Sequence, residues 1–156
     1  MGTMIRYARP EDEEQLRDLL VSHGMDLAGA IHDHVVVQQG DQIIAGGMIS
    51  PVDDALYHLE VLAVGDKWRR TGAGRMLLSA LIDAPWQYSS HDGSPEESYS
   101  ITTVARGDAV PFYAGCGFES YSFDELAAPY DEQCQQCPDR ESCQPVPMIF
   151  RRGIKI

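Results

Sequence analysis

Three stretches of this chain carry residue types at spacings that can do chemistry. The first is Arg69-Arg70-Thr71-Gly72-Ala73-Gly74-Arg75, a polar loop bearing two glycines ahead of an apolar-periodic segment. Glycines let a backbone approach a ligand closely, and N–H groups at a helix start point outward without intrahelical partners. Such a loop either cradles a phosphate or is an ordinary turn, and the pattern alone leaves both open. A dinucleotide fingerprint is disfavoured because its third glycine position is Leu77, and a Walker A loop is excluded because no Lys-Ser/Thr pair follows the glycines. The second stretch is Phe112-Tyr113-Ala114-Gly115-Cys116-Gly117-Phe118. The third is Cys134-x-x-Cys137-Pro138-x4-Cys143, with the spacing of a metal knuckle. Zinc takes four ligands and three are local, so Cys116, a histidine or water is the candidate fourth. An iron–sulfur cluster is suggested only by the Cys137-Pro138 step, and three free or partly oxidised cysteines are the other reading.

The elements that must position these residues follow from periodicity and turn signals. Ile5-Arg6-Tyr7 reads as a short strand. Pro10 with the acids behind it opens a helix whose apolar stripe is Leu16, Leu19 and Leu20 and whose stop is Gly24. His34–Gln38 and Gln42–Met48 flank Gly40-Asp41 as a hairpin. Pro51–Asp54 is expected to turn the chain into a longer strand over Ala55–Val64. Met76, Leu77, Ala80 and Leu81 recur at helical spacing after the glycine loop, and Pro85 with the polar stretch Ser89–Ser98 is expected to form a loop. Ser98–Ala105 reads as a strand and Asp108 as the cap of a short helix that tolerates Pro111 in its first turn. Phe118–Phe123 and Pro147–Arg152 read as the closing strands.

Bulk properties narrow the function classes. The chain has 156 residues, long enough for one well-buried domain, and carries a net charge of −12 from 24 acidic and 12 basic residues. Phosphate neutralisation needs clustered Lys and Arg, so nucleic acid is not an expected partner. No apolar run reaches the ~18 residues of a membrane span, and the N-terminus lacks a signal-peptide core, so a cytoplasmic protein without membrane association is expected.

The order of strand, R-x-x-G-x-G and helix, then strand and F-Y-x-x-x-G-F, resembles the GNAT superfamily of acyl-CoA-dependent N-acyltransferases over nearly the whole chain. The resemblance implies an α/β (α+β) fold. A single mixed, mostly antiparallel central sheet would be flanked by helices, over one domain at 4–156 with a cysteine-rich insert at about 131–147. It implies acetyl-CoA as cosubstrate, with its pyrophosphate held by the backbone of Arg69, Arg70, Thr71, Gly72, Ala73, Gly74 and Arg75. Its pantetheine arm would add like a strand along Leu62 and Val64. Arg106 stands where many relatives carry an asparagine that contacts CoA.

Tyr113 matches the family tyrosine that donates a proton to the departing thiolate, a role suited to a phenol with reference pKa of about 10. Strand alternation puts His58, Glu60 and Leu62 on one face. A carboxylate at a core-side position is costly without a role or partner, which makes Glu60 the candidate base and His58 its competitor. The other histidines, His23, His32, His34 and His91, read as surface or hairpin residues.

The segment from Glu125 through the cysteines to Met148 resembles the tail of short N-acetylglutamate-synthase-like GNAT proteins, which brings in amino acids as acceptors. Those relatives carry acid, apolar, arginine where this chain has His58, Leu59 and Glu60, and Glu60 would repel a substrate carboxylate. The expected function is therefore direct acetyl transfer to a primary amine of a small molecule or peptide, with a homodimer as a candidate assembly. The alternative is a non-catalytic CoA-binding or metal-sensing module.

Overall fold

The computed structural model describes residues 3–68, 71–89, 95, 97–128, 130–132 and 144–153. Seven strands form one mixed sheet flanked by helices, in the order β1-β2-β3-β4-β5-β7-β6. They are β1 (Thr3–Tyr7), β2 (Val35–Gln39), β3 (Gln42–Asp53), β4 (Leu56–Val64), β5 (Tyr99–Ala105), β6 (Glu119–Ser120) and β7 (Val146–Arg152). The helices are α1 (Glu13–Val21), α2 (Ala73–Asp83), α3 (Pro85–Ser89) and α4 (Val110–Gly115). The chain packs as two compact units, Met1–Ser50 with Leu59–Pro95, and Pro51–His58 with Glu96–Ile156. The division falls inside β4, between His58 and Leu59.

In the first unit, β1 pairs antiparallel with β2 and β2 with β3. Gln39 opposes Gln42, so the β2–β3 connection is the expected two-residue loop Gly40-Asp41. Pro10 lies in a 3-10 turn, Pro10–Asp12, that leads into α1. Asp12 is buried there because its carboxylate accepts from the Arg9 N–H at 2.7 Å and from the Arg6 guanidinium at 2.7 and 3.2 Å. Those bonds hold the Asp12 carboxyl below its ordinary pKa, with the Arg6 hydrogen bond the largest cause. Leu16, Leu19 and Leu20 recur at three and four residues and bury against Ala8, Val36, Ile43 and Ala63. On α2 the buried stripe is Leu77, Leu78, Leu81 and Ile82. Met76, placed on that stripe by the periodicity, is 37% exposed and Ala80 only half-buried, because the stripe is rotated by one residue.

In the second unit, β7 is the central partner. It pairs antiparallel with β5, from Tyr99↔Arg152 to Ala105↔Val146, and with β6 at Glu119↔Ile149 and Ser120↔Met148. Just ahead of β4, the Ala55 carbonyl accepts from the Ser100 N–H of β5 at 2.9 Å. Tyr99, Ile101, Tyr113, Phe118, Met148, Ile149 and Phe150 are among its buried apolar residues.

Several local expectations are corrected. Pro51, Val52 and Asp53 continue β3, and the turn is Asp54-Ala55, where the Asp53 carboxylate accepts from the Asp54 N–H at 2.8 Å. Pro85 starts α3 rather than a loop, since proline fits a first helical turn. Asp108 caps nothing: it sits inside a 3-10 turn, Gly107–Ala109, and Ala109 is the N-cap of α4. The strand expected over Phe118–Phe123 is limited to Glu119–Ser120.

Candidate active site

The glycine loop folds as the spacing anticipates at its helical end. Gly72 is the N-cap of α2 at φ +92°, a left-handed conformation that glycine adopts without the strain a Cβ brings. The space around it is open: an added Cβ would meet nothing within 4 Å. The Met76 N–H donates to the Gly72 carbonyl at 2.9 Å as the first bond of the helix. The N–H groups of Ala73, Gly74 and Arg75 therefore precede that ladder, at the positive end of the helix dipole. Ahead of them a 3-10 turn, Asp66–Trp68, is closed by the Trp68 N–H donating to the Gly65 carbonyl at 2.8 Å. Thr71 donates from both its N–H and its hydroxyl to the Trp68 carbonyl. Arg69 and Arg70 lie outside the described residues, so the expected loop is described only from Thr71 onward.

On β4, the Gly65 N–H donates to the Ile44 carbonyl of β3 at 2.9 Å. Backbone groups alternate sides along a strand, so those of Val64 and Leu62 face away from β3. Glu60 shares that parity. It is half-buried, and its carboxylate accepts from the Ser50 hydroxyl at 3.0 Å.

The second unit holds the phenol. Tyr113 is on α4, buried, with Phe112 and Phe118 set edge-on to its ring at centroid distances of 5.3 and 5.4 Å. The motif's own residues create this setting. Gly117 ends the helix at φ +101°, and the Phe118 N–H then donates back to the Tyr113 carbonyl at 3.0 Å. Phe118 in turn packs on Phe150 of β7, 5.6 Å between ring centroids. The Tyr113 hydroxyl is hydrogen-bonded to the side chain of Thr103 on β5, itself buried. Burial pushes the Tyr113 pKa well above the ordinary phenol value and the Thr103 bond opposes that rise. The phenol therefore keeps its proton throughout the neutral range, as a proton donor must.

His58 is also in this unit and is fully buried. Its Nδ1 is hydrogen-bonded to the Thr102 hydroxyl at 2.8 Å, and that hydroxyl lies 3.4 Å from the Tyr57 carbonyl. The ring stacks on Tyr130 at 3.7 Å. Burial pushes the His58 pKa down to about 4, so the imidazole is neutral at pH 7 and a poor proton acceptor. Arg106 is exposed, with Nε 3.9 Å from a carboxylate oxygen of Asp108. Cys116 lies in the turn after α4, its N–H donating to the Tyr113 carbonyl at 3.0 Å, and it is not disulfide-bonded. Cys134, Cys137 and Cys143, the expected metal knuckle, lie outside the described residues. Among the described residues no cluster of three or more His, Cys, Asp or Glu could hold a metal ion.

The Acetyltransferase (GNAT) domain family matches residues 30–120, more than half of the chain and inclusive of both motifs. The chain belongs to the GNAT acetyltransferase family. No curated protein sequence matches it. Among solved structures, this GNAT chain is similar to N-acetylglutamate synthase from Neisseria gonorrhoeae complexed with coenzyme A and N-acetyl-glutamate. The TM-score is 0.75 at 16% identity, over 97% of this chain and 35% of the synthase, so the chain spans about a third of that protein. It is also similar to the ribosomal-protein-S18-alanine N-acetyltransferase of Escherichia coli, TM-score 0.66 at 14% identity over 99% of this chain and 97% of that one. Rv2747 from Mycobacterium tuberculosis, in complex with CoA, gives 0.68 at 15% identity over 94% and 98%. Identities this low establish the GNAT fold and leave the acceptor open.

Sequence reasoning missed three residues of this GNAT chain. Thr103 carried no signal beyond its place in a strand. His23, read as a surface residue, is half-buried with Nε2 2.7 Å from the Val64 carbonyl. His34, read as the first residue of a strand, is fully buried. Its Nδ1–H donates to the Ala30 carbonyl at 2.9 Å and its Nε2 accepts from the Ala28 N–H at 3.1 Å. His32 is exposed as expected, and His91 lies outside the described residues.

Proposed function

We propose that this chain is an acetyl-CoA-dependent N-acetyltransferase that passes an acetyl group directly to a primary amine. The observation that carries the reading is the buried phenol of Tyr113, held protonated in a pocket of aromatic rings and bonded to Thr103, in a chain of the GNAT family. Acetyl-CoA supplies an activated thioester carbonyl; the chain's residues do the rest. The N–H groups at the start of α2 and the loop from Arg69 to Arg75 hold the pyrophosphate, with Gly72 setting the helix entry. The outward groups of Leu62 and Val64 on β4 take the pantetheine arm as an added strand.

Glu60 removes the proton that the acceptor must lose before its nitrogen lone pair can attack. The new C–N bond forms, the nitrogen sheds its second proton to solvent, the C–S bond breaks, and Tyr113 gives its proton to the departing thiolate and regains one from solvent. Glu60 suits the base role better than His58. The imidazole's pKa of about 4, its hydrogen bond to Thr102 and its stacking on Tyr130 make it a packed support for the second unit. Cys116 takes no covalent part, and the Cys134–Cys143 cluster is outside the transfer.

The acceptor is a primary amine of an amino acid, a small polyamine-like molecule or a peptide. The Neisseria synthase names an amino-acid product and the E. coli enzyme a protein alanine, which supports the first and last of these. Glu60 argues against an acceptor whose carboxylate must sit beside it. The test is a panel of amines assayed for free thiol released from acetyl-CoA. Turnover with at least one amine above the uncatalysed rate is expected. CoA binding without any turnover would instead mark a binding module.

A further inference from the structure

His23 stands just beyond α1, where the chain is fastened by the helix end. The His23 N–H donates to the Leu20 carbonyl at 3.0 Å, Gly24 to Val21 at 3.0 Å and Met25 to Leu20 at 2.9 Å. From that base its ring reaches 41 residues along the chain, to the Val64 carbonyl at 2.7 Å. A carbonyl only accepts, so Nε2 carries the hydrogen, in the neutral ring as in the imidazolium. A carboxylate oxygen of Asp66 lies 3.6 Å from the same nitrogen. On the other side of that peptide, the Gly65 N–H donates to Ile44 at 2.9 Å. The Val64–Gly65 peptide is thus gripped from both sides. His23 takes the side turned away from β3, the one on which a strand-like ligand would add.

We infer that His23 is a positioning residue for the coenzyme: by occupying the outward carbonyl of Val64 it fixes the last peptide of β4 and sets the register of the pantetheine arm. The inference rests on the proposed CoA site. With Val64's carbonyl engaged, the arm pairs at Leu62 and at the Val64 N–H. A carbonyl has a second lone pair, so His23 orders this edge without blocking it. Nε2 donates to that carbonyl in either charge state, so the bond needs no change of protonation.

The test is calorimetric titration of wild type, His23→Ala and His23→Gln with CoA and with adenosine 3′,5′-bisphosphate, which lacks the pantetheine arm. One lost hydrogen bond predicts CoA binding weakened about fivefold in His23→Ala. Binding of the bisphosphate stays within error and KM for acetyl-CoA rises while kcat holds. His23→Gln, whose amide nitrogen can donate at the same reach, restores most of the affinity. Unchanged CoA binding in His23→Ala, or equal weakening of CoA and bisphosphate, overturns the inference while leaving the site standing. Wild-type protein that binds no CoA overturns the site itself and the inference with it.

Discussion

The two units of this molecule are equipped in different ways. In the first, the groups of the proposed CoA site belong to the main chain: the N–H groups at the start of α2, the glycine that sets their direction, and the outward edge of β4. In the second, the proposed chemistry sits on side chains, a phenol among aromatic rings with a hydroxyl at its oxygen. A main-chain site tolerates many side chains so long as spacing and a left-handed glycine are kept. A side-chain site needs one residue type and an environment assembled from several strands. Binding and chemistry should therefore fail separately when each unit is altered.

The largest separation is expected from Tyr113→Phe. Losing a general acid costs about a hundredfold in kcat, and CoA affinity measured by calorimetry should not change. Loss of CoA binding would break the contrast between the units. Acidification comes next. His34 in the first unit and His58 in the second are buried neutral, with folded pKa values below the ordinary 6.5 because of desolvation. The unfolded chain binds the extra protons first, so their stabilisation is present above pH 6.5 and lost as pH falls towards about 4. For His58 alone this is about 2 kcal/mol between pH 7 and pH 5. Thermal melts should fall over that window, and His58→Gln should flatten its share. A melt independent of pH there would mean that neither ring is held as described.

Gly72→Ala ranks third. With open space around the position, only backbone strain at φ +92° acts, about 1–2 kcal/mol. CoA affinity should drop about five- to tenfold with kcat at saturation little altered. Thr103→Val is the smallest, about three- to fivefold in kcat at unchanged CoA affinity. Thr103→Ser should rescue it. In a Tyr113→Phe background the valine should add nothing, and an additive loss would assign Thr103 to packing alone.

The contrast also explains what the sequence made legible. Glycine spacing ahead of an apolar period marked the entry to α2 at Gly72, and Gly40-Asp41 marked the β2–β3 turn. The F-Y-x-x-x-G-F stretch was legible because Gly117 and Phe118 act on Tyr113 within six residues. Met76-Leu77-Leu78 offered two overlapping helical stripes, and only packing selects Leu78 over Met76. Pro51 looked like a turn but lies within β3, which continues to Asp53. His23 and His34 were misread because their partners are main-chain atoms, carbonyls that periodicity cannot assign to a side chain. Thr103 and Thr102 are adjacent threonines with separate partners, Tyr113 and His58, a difference visible only once α4 and β4 are placed beside β5.

The most direct measurement of the central claim is saturation kinetics of Tyr113→Phe against wild type, with an amine found in the panel and with CoA affinity measured on the same samples. With Tyr113 as the proton donor, kcat falls by about a hundredfold at equal CoA affinity. A kcat within twofold of wild type would contradict it.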